Sequence, residues 1–216
     1  MPDLNITVES AKVVSFAATP TIAFQLHVVN AVRDEVVDSV VLRAQLQLEV
    51  TRRQYSAEEE EGLADLFGAP DRWAQTLRAM LWTHANVIVP PFEGETLVDL
   101  SVPCTFDFNV AATKYFYGLK DGDIPVAFLF SCSVFYRDDS GGMRVVPVSW
   151  EKEAKFRLPV STWRQLMDSY YPNVAWLNLR RDVFERLHKY KIERGIPTWD
   201  QAIESMLAAS EDEALT

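Results

Sequence analysis

The stretch Phe92–Trp150, FEGETLVDLSVPCTFDFNVAATKYFYGLKDGDIPVAFLFSCSVFYRDDSGGMRVVPVSW, decides the fold class. Within it Val98, Leu100, Val102, Cys104, Phe106 and Phe108 fall on one side of an extended chain, and Asp99, Ser101, Thr105 and Asp107 on the other. Side chains of a strand alternate between its faces, so this period of two predicts a strand with one buried face. Ile124–Tyr136 follows. There Val126, Phe128, Phe130, Cys132, Val134 and Tyr136 share a face, while Ala127, Leu129 and Phe135 make the opposite face apolar too, which predicts a strand covered on both sides. Gly122, in Lys120–Asp123, and Gly141-Gly142, after Asp138-Asp139-Ser140, supply the turns, because glycine reaches positive φ without a Cβ clash. The second turn reverses the chain into Met143–Val148. The stretch reads as the centre of a β-sandwich or thick antiparallel sheet.

Towards the N-terminus the same period recurs. Leu4–Phe16 alternates moderately, and Thr21–Asn30 places Ile22, Phe24, Leu26 and Val28 on one face. Val36–Arg53 carries Val40, Leu42, Ala44, Leu46, Leu48 and Val50 against Ser39, Arg43, Gln45, Gln47 and Glu49, the pattern of a half-solvated antiparallel strand. The period then changes. Ser56 with Glu59 has the form of a capping box, followed by Leu63, Leu66 and Phe67 at helical spacing. Glu58–Glu61 reads as a solvated first turn. Trp73, Leu77, Met80, Leu81 and His84 continue at three and four, so a helical insert is expected over about 56–85, ended by Pro90-Pro91.

Beyond Trp150 the pattern is helical. Trp163, Leu166, Met167 and Tyr170 follow a cap at Ser161 or Thr162; Val183, Phe184, Leu187 and Tyr190 mark a second helix; Thr198 caps a third, with Trp199, Ala202, Ile203, Met206 and Leu207 on one face. The expected organisation is a β-sandwich-like domain over 1–158, a C-terminal helical segment over 159–210 packed on it, and an acidic tail at 211–216. The fold class is mainly β with helices, α+β.

The chain of 216 residues carries 48% hydrophobic and 24% charged residues, which is globular composition. Its formal net charge of −10 argues against general nucleic-acid binding and against docking on anionic lipid. No apolar run spans a membrane and no signal pattern opens the chain, so the expected location is cytoplasmic. Cys104 and Cys132 fall on inward faces and read as small buried hydrophobes, with a thiol pair across adjacent strands as the sharper alternative.

Chemistry is sparse. His27, His84 and His188 lie on separate elements, and there is no CxxC, HExxH, GxSxG, P-loop or GxGxxG. No catalytic residue, metal ligand or cofactor is expected. The aromatic clusters stand out instead. Lys114-Tyr115-Phe116-Tyr117 and Tyr170-Tyr171-Pro172 fall in expected connections, where core packing explains an aromatic less readily. Tyr115, Phe116, Tyr117, Tyr170, Tyr171 and Trp176 are therefore the candidate partner-binding residues, as aromatics anchor interfaces.

Several phrases together resemble an uncharacterised bacterial protein family: Arg53-x-Tyr55, Leu66-Phe67-Gly68-Ala69-Pro70-x-x-Trp73, Val102-Pro103-Cys104-Thr105, Lys114-Tyr115-Phe116, Asp121-Gly122-x-Ile124-Pro125, Phe130-x-x-x-Val134-Phe135-Tyr136 and Thr198-Trp199-x-x-Ala202-Ile203. The resemblance spans nearly the whole chain. It implies an accessory or assembly role beside nickel–iron hydrogenases, whose genes neighbour the family, and it carries no catalytic residues. Separately, Phe184–Leu207 is similar to the helix pair of small antitoxin-type DNA binders, with Arg180, Arg181, Arg186, Lys189 and Arg194 as the basic residues. The leading expectation is a non-enzymatic binding or accessory protein with a protein partner. Alternatives are a SecB-like holdase chaperone and a small-ligand-binding domain or enzyme with a sheet–helix pocket; a homo-oligomer is left open.

Overall fold

The computed structural model describes residues 1–105, 109–138, 140–148, 152–174 and 177–214. Its centre is a pair of long antiparallel strands. β3 (Val37–Leu48) turns Val40, Leu42, Ala44, Leu46 and Leu48 inward, none more than 1% exposed. β6 (Asp123–Arg137) lies beside it with Val126 opposite Leu48 and Val134 opposite Val40, so two apolar faces merge into one. β4 (Met80–Val89) flanks β3 on its other side. The far edge of β6 is divided: β8 (Glu153–Pro159) pairs with Asp123–Leu129 and β7 (Met143–Pro147) with Ser133–Arg137.

A second antiparallel sheet has the order β1-β2-β5, from β1 (Leu4–Val13), β2 (Thr21–Asn30) and β5 (Glu95–Pro103). Its inward face presents Ile22, Phe24, Leu26 and Val28, all fully buried. The Phe24 ring meets Phe128 at 5.1 Å, Phe156 at 5.9 Å and Trp82 at 6.0 Å, edge-on in each case, and so joins the two sheets. Burial of one such side chain contributes about 2–3 kcal/mol. The architecture is α+β with an antiparallel sandwich core, as the alternating stretches predict.

Several elements differ from the sequence reading. The strand starting near Val98 ends at Pro103, and Phe106–Phe108 lie outside the described residues. After Asn109 the chain forms a helix, α3 (Val110–Gly118), whose N-cap is Asn109: its Oδ1 accepts from Ala112 N at 2.9 Å. The helical insert holds α1 (Ala57–Phe67), a 3₁₀ turn at Pro70–Arg72 and a single α-turn, α2 (Trp73–Thr76); Met80–Val89 is strand. The three-and-four spacing across Trp73–His84 mimics a helix, but the main chain at Met80–Val89 is hydrogen-bonded into β3, and tertiary pairing overrides the local period. β8 replaces the expected helical run after Trp150 and leads directly into α4 (Val160–Tyr170), which begins after Pro159 without a side-chain cap.

Cys104, just after β5, and Cys132, on β6, are free thiols, 8% and 5% exposed. Burial pushes the Cys104 thiol up to about 12 and that of Cys132 to about 11, so both are protonated near neutrality. No helix among the described residues is long and apolar enough to cross a membrane.

Contacts divide the chain into Met1–Asn173 and Val174–Thr216. The second unit is a helix pair, α5 (Arg181–Glu193) and α6 (Trp199–Ala214). Gly195, at φ 63°, closes α5: its N–H donates to Ile192 O, and Ile196 N to Lys191 O at 3.0 Å. Thr198 caps α6 by accepting from Gln201 N at 3.2 Å.

Candidate functional site

Two aromatic regions of the larger unit were candidates, and they have opposite character. The first surrounds Arg53. Chain from β3 passes through a 3₁₀ turn, Val50–Arg52, to the capping box of α1, where Ser56 Oγ accepts from Glu59 N and Glu59 Oε2 accepts from Ser56 N at 3.1 Å. Glu59 does more than close the box. Its Oε1 accepts from Arg53 Nη2 at 2.5 Å and from Lys120 N at 2.8 Å. Arg53 also donates to the carbonyls of Asp121 (2.7 Å) and Asp123 (2.8 Å). Gly122, at φ 70°, lets this turn pass under the guanidinium; a Cβ there would lie 3.2 Å from Nη1. The ion pair is sealed, with side chains 7% and 3% exposed, so Glu59 is not part of a solvated acidic turn as its neighbours suggest.

Burial pushes the Glu59 carboxyl up, but the Lys120 and Ser56 N–H groups and the Arg53 guanidinium outweigh it and hold the group below the usual glutamate range. Beside this pair Tyr55 OH donates to Val50 O at 2.6 Å and meets Tyr115 OH at 3.1 Å. Tyr115 is fully buried; burial pushes its phenol strongly upward and raises Tyr55 as well. Rings of Phe67 and Trp73 complete the cluster, with Trp73 Nε1 donating to Gly68 O at 2.9 Å. Four of the phrases that carry the family resemblance therefore meet here: Arg53-x-Tyr55, Phe67-Gly68 with Trp73, Tyr115-Phe116, and Asp121-Gly122. α1 crosses α3 where Gly118 leaves no room: a Cβ there would lie 2.5 Å from Leu63 Cδ2.

The expectation that Tyr115 and Phe116 sit in an exposed connection is thus corrected. Both are on α3, 0% and 2% exposed, and fill the interior because the helix turns them towards α1 and the sandwich. Phe116 stacks on Trp163 of α4 at 5.3 Å and meets Trp82 at 5.1 Å.

The second region lies along α4. Tyr117, next to Phe116 on α3, is 44% exposed and edges the Trp163 ring at 5.0 Å; burial of its inner part and the Asp168 carboxylate raise its phenol. Trp163 and Tyr170 are seven residues apart on α4, hence on one face and about 10 Å apart. Tyr170 OH donates to Ala17 O at 2.8 Å and so grips the β1–β2 loop. Tyr171 follows, half-buried, its ring 6.5 Å from that of Tyr170. At the tip of the gripped loop stands Phe16, fully exposed and in the left-handed backbone region at φ 61°. A residue with a Cβ and no short polar side chain rarely adopts that conformation, and it costs about 1–2 kcal/mol. Sequence reasoning missed Phe16, since nothing in Ser15–Pro20 signals the sign of φ. Of the sequence candidates, the structure gathers Tyr117, Tyr170 and Tyr171 along α4, places Tyr115 and Phe116 inside, and leaves Trp176 outside the described residues.

Elsewhere, a cavity of about 570 Å³ opens at the ends of strands, lined by Asp34, Glu35, Asp38, Tyr136 and Asp138 among others, with the Met1 ammonium 3.1 Å from Glu35. It is a strand-end and loop cavity, not a sheet–helix one. Asp138 shapes the adjoining hairpin: Ser140 and Gly142 donate to its Oδ1 and Arg144 to its Oδ2, which holds its carboxyl far below the usual range. His27 stands on β2 between Glu95 (3.1 Å) and Glu9 (3.8 Å). No three His, Cys, Asp or Glu side chains among the described residues are placed to hold a metal ion. The basic residues of α5 spread around that helix at 100° per residue, and Arg180, Arg181 and Lys189 pair with Asp182, Glu185 and Glu193.

Residues 1–215 match the model of a family of unknown function, DUF6084. No curated protein matches the chain. Among solved structures, a CARDB domain from Pyrococcus furiosus in complex with di-metal ions is similar at 14% identity and a TM-score of 0.28, over 73% of this chain and 92% of that one. A solution structure of a late embryogenesis abundant (LEA) candidate is similar at 16% identity and a TM-score of 0.30, over 74% and 73%. At these scores neither likeness bears on function.

Proposed function

We propose that this chain, which belongs to the DUF6084 family, is a non-enzymatic binding or accessory protein. It engages a protein partner through the aromatic surface along α4. Phe16 carries the reading. A large apolar side chain held fully in solvent on unfavourable backbone has no use in folding, and such strain persists where the surroundings impose it, as Tyr170 does here. Tyr117 and Tyr171 extend the surface with amphipathic rings that lose little entropy on binding. The resemblance to a hydrogenase-associated family supports a metalloenzyme undergoing assembly, such as a nickel–iron hydrogenase, as that partner.

The test is affinity capture from cells that make the protein, comparing wild type with Phe16→Asn/Tyr117→Ser. Asparagine tolerates the left-handed backbone, so the fold is kept. The expected outcome is loss of a protein that wild type retains. Identical co-purifying proteins in both samples overturn the assignment of this surface.

A further inference from the structure

The helix pair lacks an interior of its own. Among its described side chains only Ala202 is fully buried, and α5 buries none. A unit of this size needs either a staple or a partner surface to be stable. What it offers instead is an exposed stripe. Trp199, Ile203, Met206 and Leu207 follow at helical spacing on α6, 38%, 37%, 47% and 57% exposed, and Phe184 of α5, 46% exposed, adjoins Trp199 at 5.4 Å.

Charge says what covers the stripe. Residues 180–194 hold six Lys and Arg against three acids, whereas 199–214 hold five acids and no Lys or Arg. Within the copy these opposite charges do not meet: Arg180, Arg181 and Lys189 pair with Asp182, Glu185 and Glu193 of their own segment, and no ion pair among the described residues joins α5 to α6. Lys191 and Arg194 lie over the Trp199 and Tyr190 rings instead. Asp200, Glu204 and Glu211, at one edge of the stripe, have no ion pair among the described residues. A surface with a cationic helix beside an anionic one is complementary to itself under a two-fold axis.

We propose that the helix pair is a homodimerisation element. Two copies pack their α6 stripes together in a four-helix arrangement, with α5 of each facing the acids of α6 of the other. This proposal does not rest on the reading of the α4 surface.

The test is the mass in solution of the full chain, by light scattering and sedimentation at micromolar concentration. Wild type is expected to be a dimer. Leu207→Glu, Arg186→Glu/Lys189→Glu/Arg194→Glu and Asp200→Lys/Glu204→Lys/Glu211→Lys are each expected to be monomers, with helix content checked by circular dichroism. Mixing the two charge-reversed chains is expected to restore a dimer containing one of each. A wild-type monomer up to ~100 µM overturns the proposal, and means that another part of the chain or a different protein covers the stripe. A dimer that survives all three variants also overturns it, since the interface then lies elsewhere.

Discussion

The Arg53 cluster and the α4 surface are both built from tyrosines and neighbouring rings, yet one is sealed and the other faces water. In the first, the polar ends are partnered but for the buried Arg53 Nε: Tyr55 OH has Val50 O, Glu59 has two N–H groups besides the guanidinium, and the Arg53 Nη atoms have two carbonyls. Such groups tolerate burial because their bonds to water are replaced. In the second, Tyr170 uses its hydroxyl to position a loop, and the apolar load ends on Phe16, which is fully exposed. Aromatic density alone therefore does not separate core from surface. The partners of the polar atoms do.

That contrast can be broken at its strongest point. Arg53→Ala leaves Glu59 charged in a sealed site and two carbonyls without donors, so unfolding in urea should show a loss of about 3–5 kcal/mol. Tyr117→Ser, on the exposed region, should change stability by about 1 kcal/mol or less. Equal losses would erase the distinction. Gly118→Ala comes next: its methyl would press on Leu63 where α1 crosses α3, at a cost of about 1–3 kcal/mol in the same measurement. A pH series sharpens the assignment of Glu59. Its folded carboxyl titrates below the unfolded value, so its contribution is complete above the ordinary glutamate pKa of about 4.3 and is lost as pH falls through the folded value. Glu59→Gln should flatten that acid limb of the stability profile; an unchanged limb would assign it to other carboxylates. The smallest effect runs the other way. Phe16→Asn relieves the backbone and should raise stability by up to about 1 kcal/mol, read as a shift in the denaturation midpoint. A clear loss would show that Phe16 is packed in solution.

The strands with strict alternation, β2, β3 and β6, were legible because their side chains report burial directly. β4 was not, because Trp73, Leu77, Met80 and His84 happen to keep helical spacing across an element boundary. α3 was hidden by the strand reading that ran into it, and its cap, Asn109, is a single residue. At the site, the capping box Ser56–Glu59 could be read locally. Its second role could not, because Lys120 and the Asp121–Asp123 turn lie far along the chain and only the folded sandwich brings them to Arg53. The orientation of Tyr115 and Tyr117, two residues apart on one helix, follows from that same long-range packing.

The long strand β6 has one more consequence, for the order of events during synthesis. Its pairing with β3 joins Val37 to Tyr136 and Leu48 to Val126. On the ribosome, β3 therefore emerges many seconds before its central neighbour, at about 5–20 residues per second. Only β4 is available sooner, and a lone hairpin is marginal. Until β6 arrives, a nascent chain carries one apolar strand edge open to solvent, the kind of surface that invites pairing with another chain.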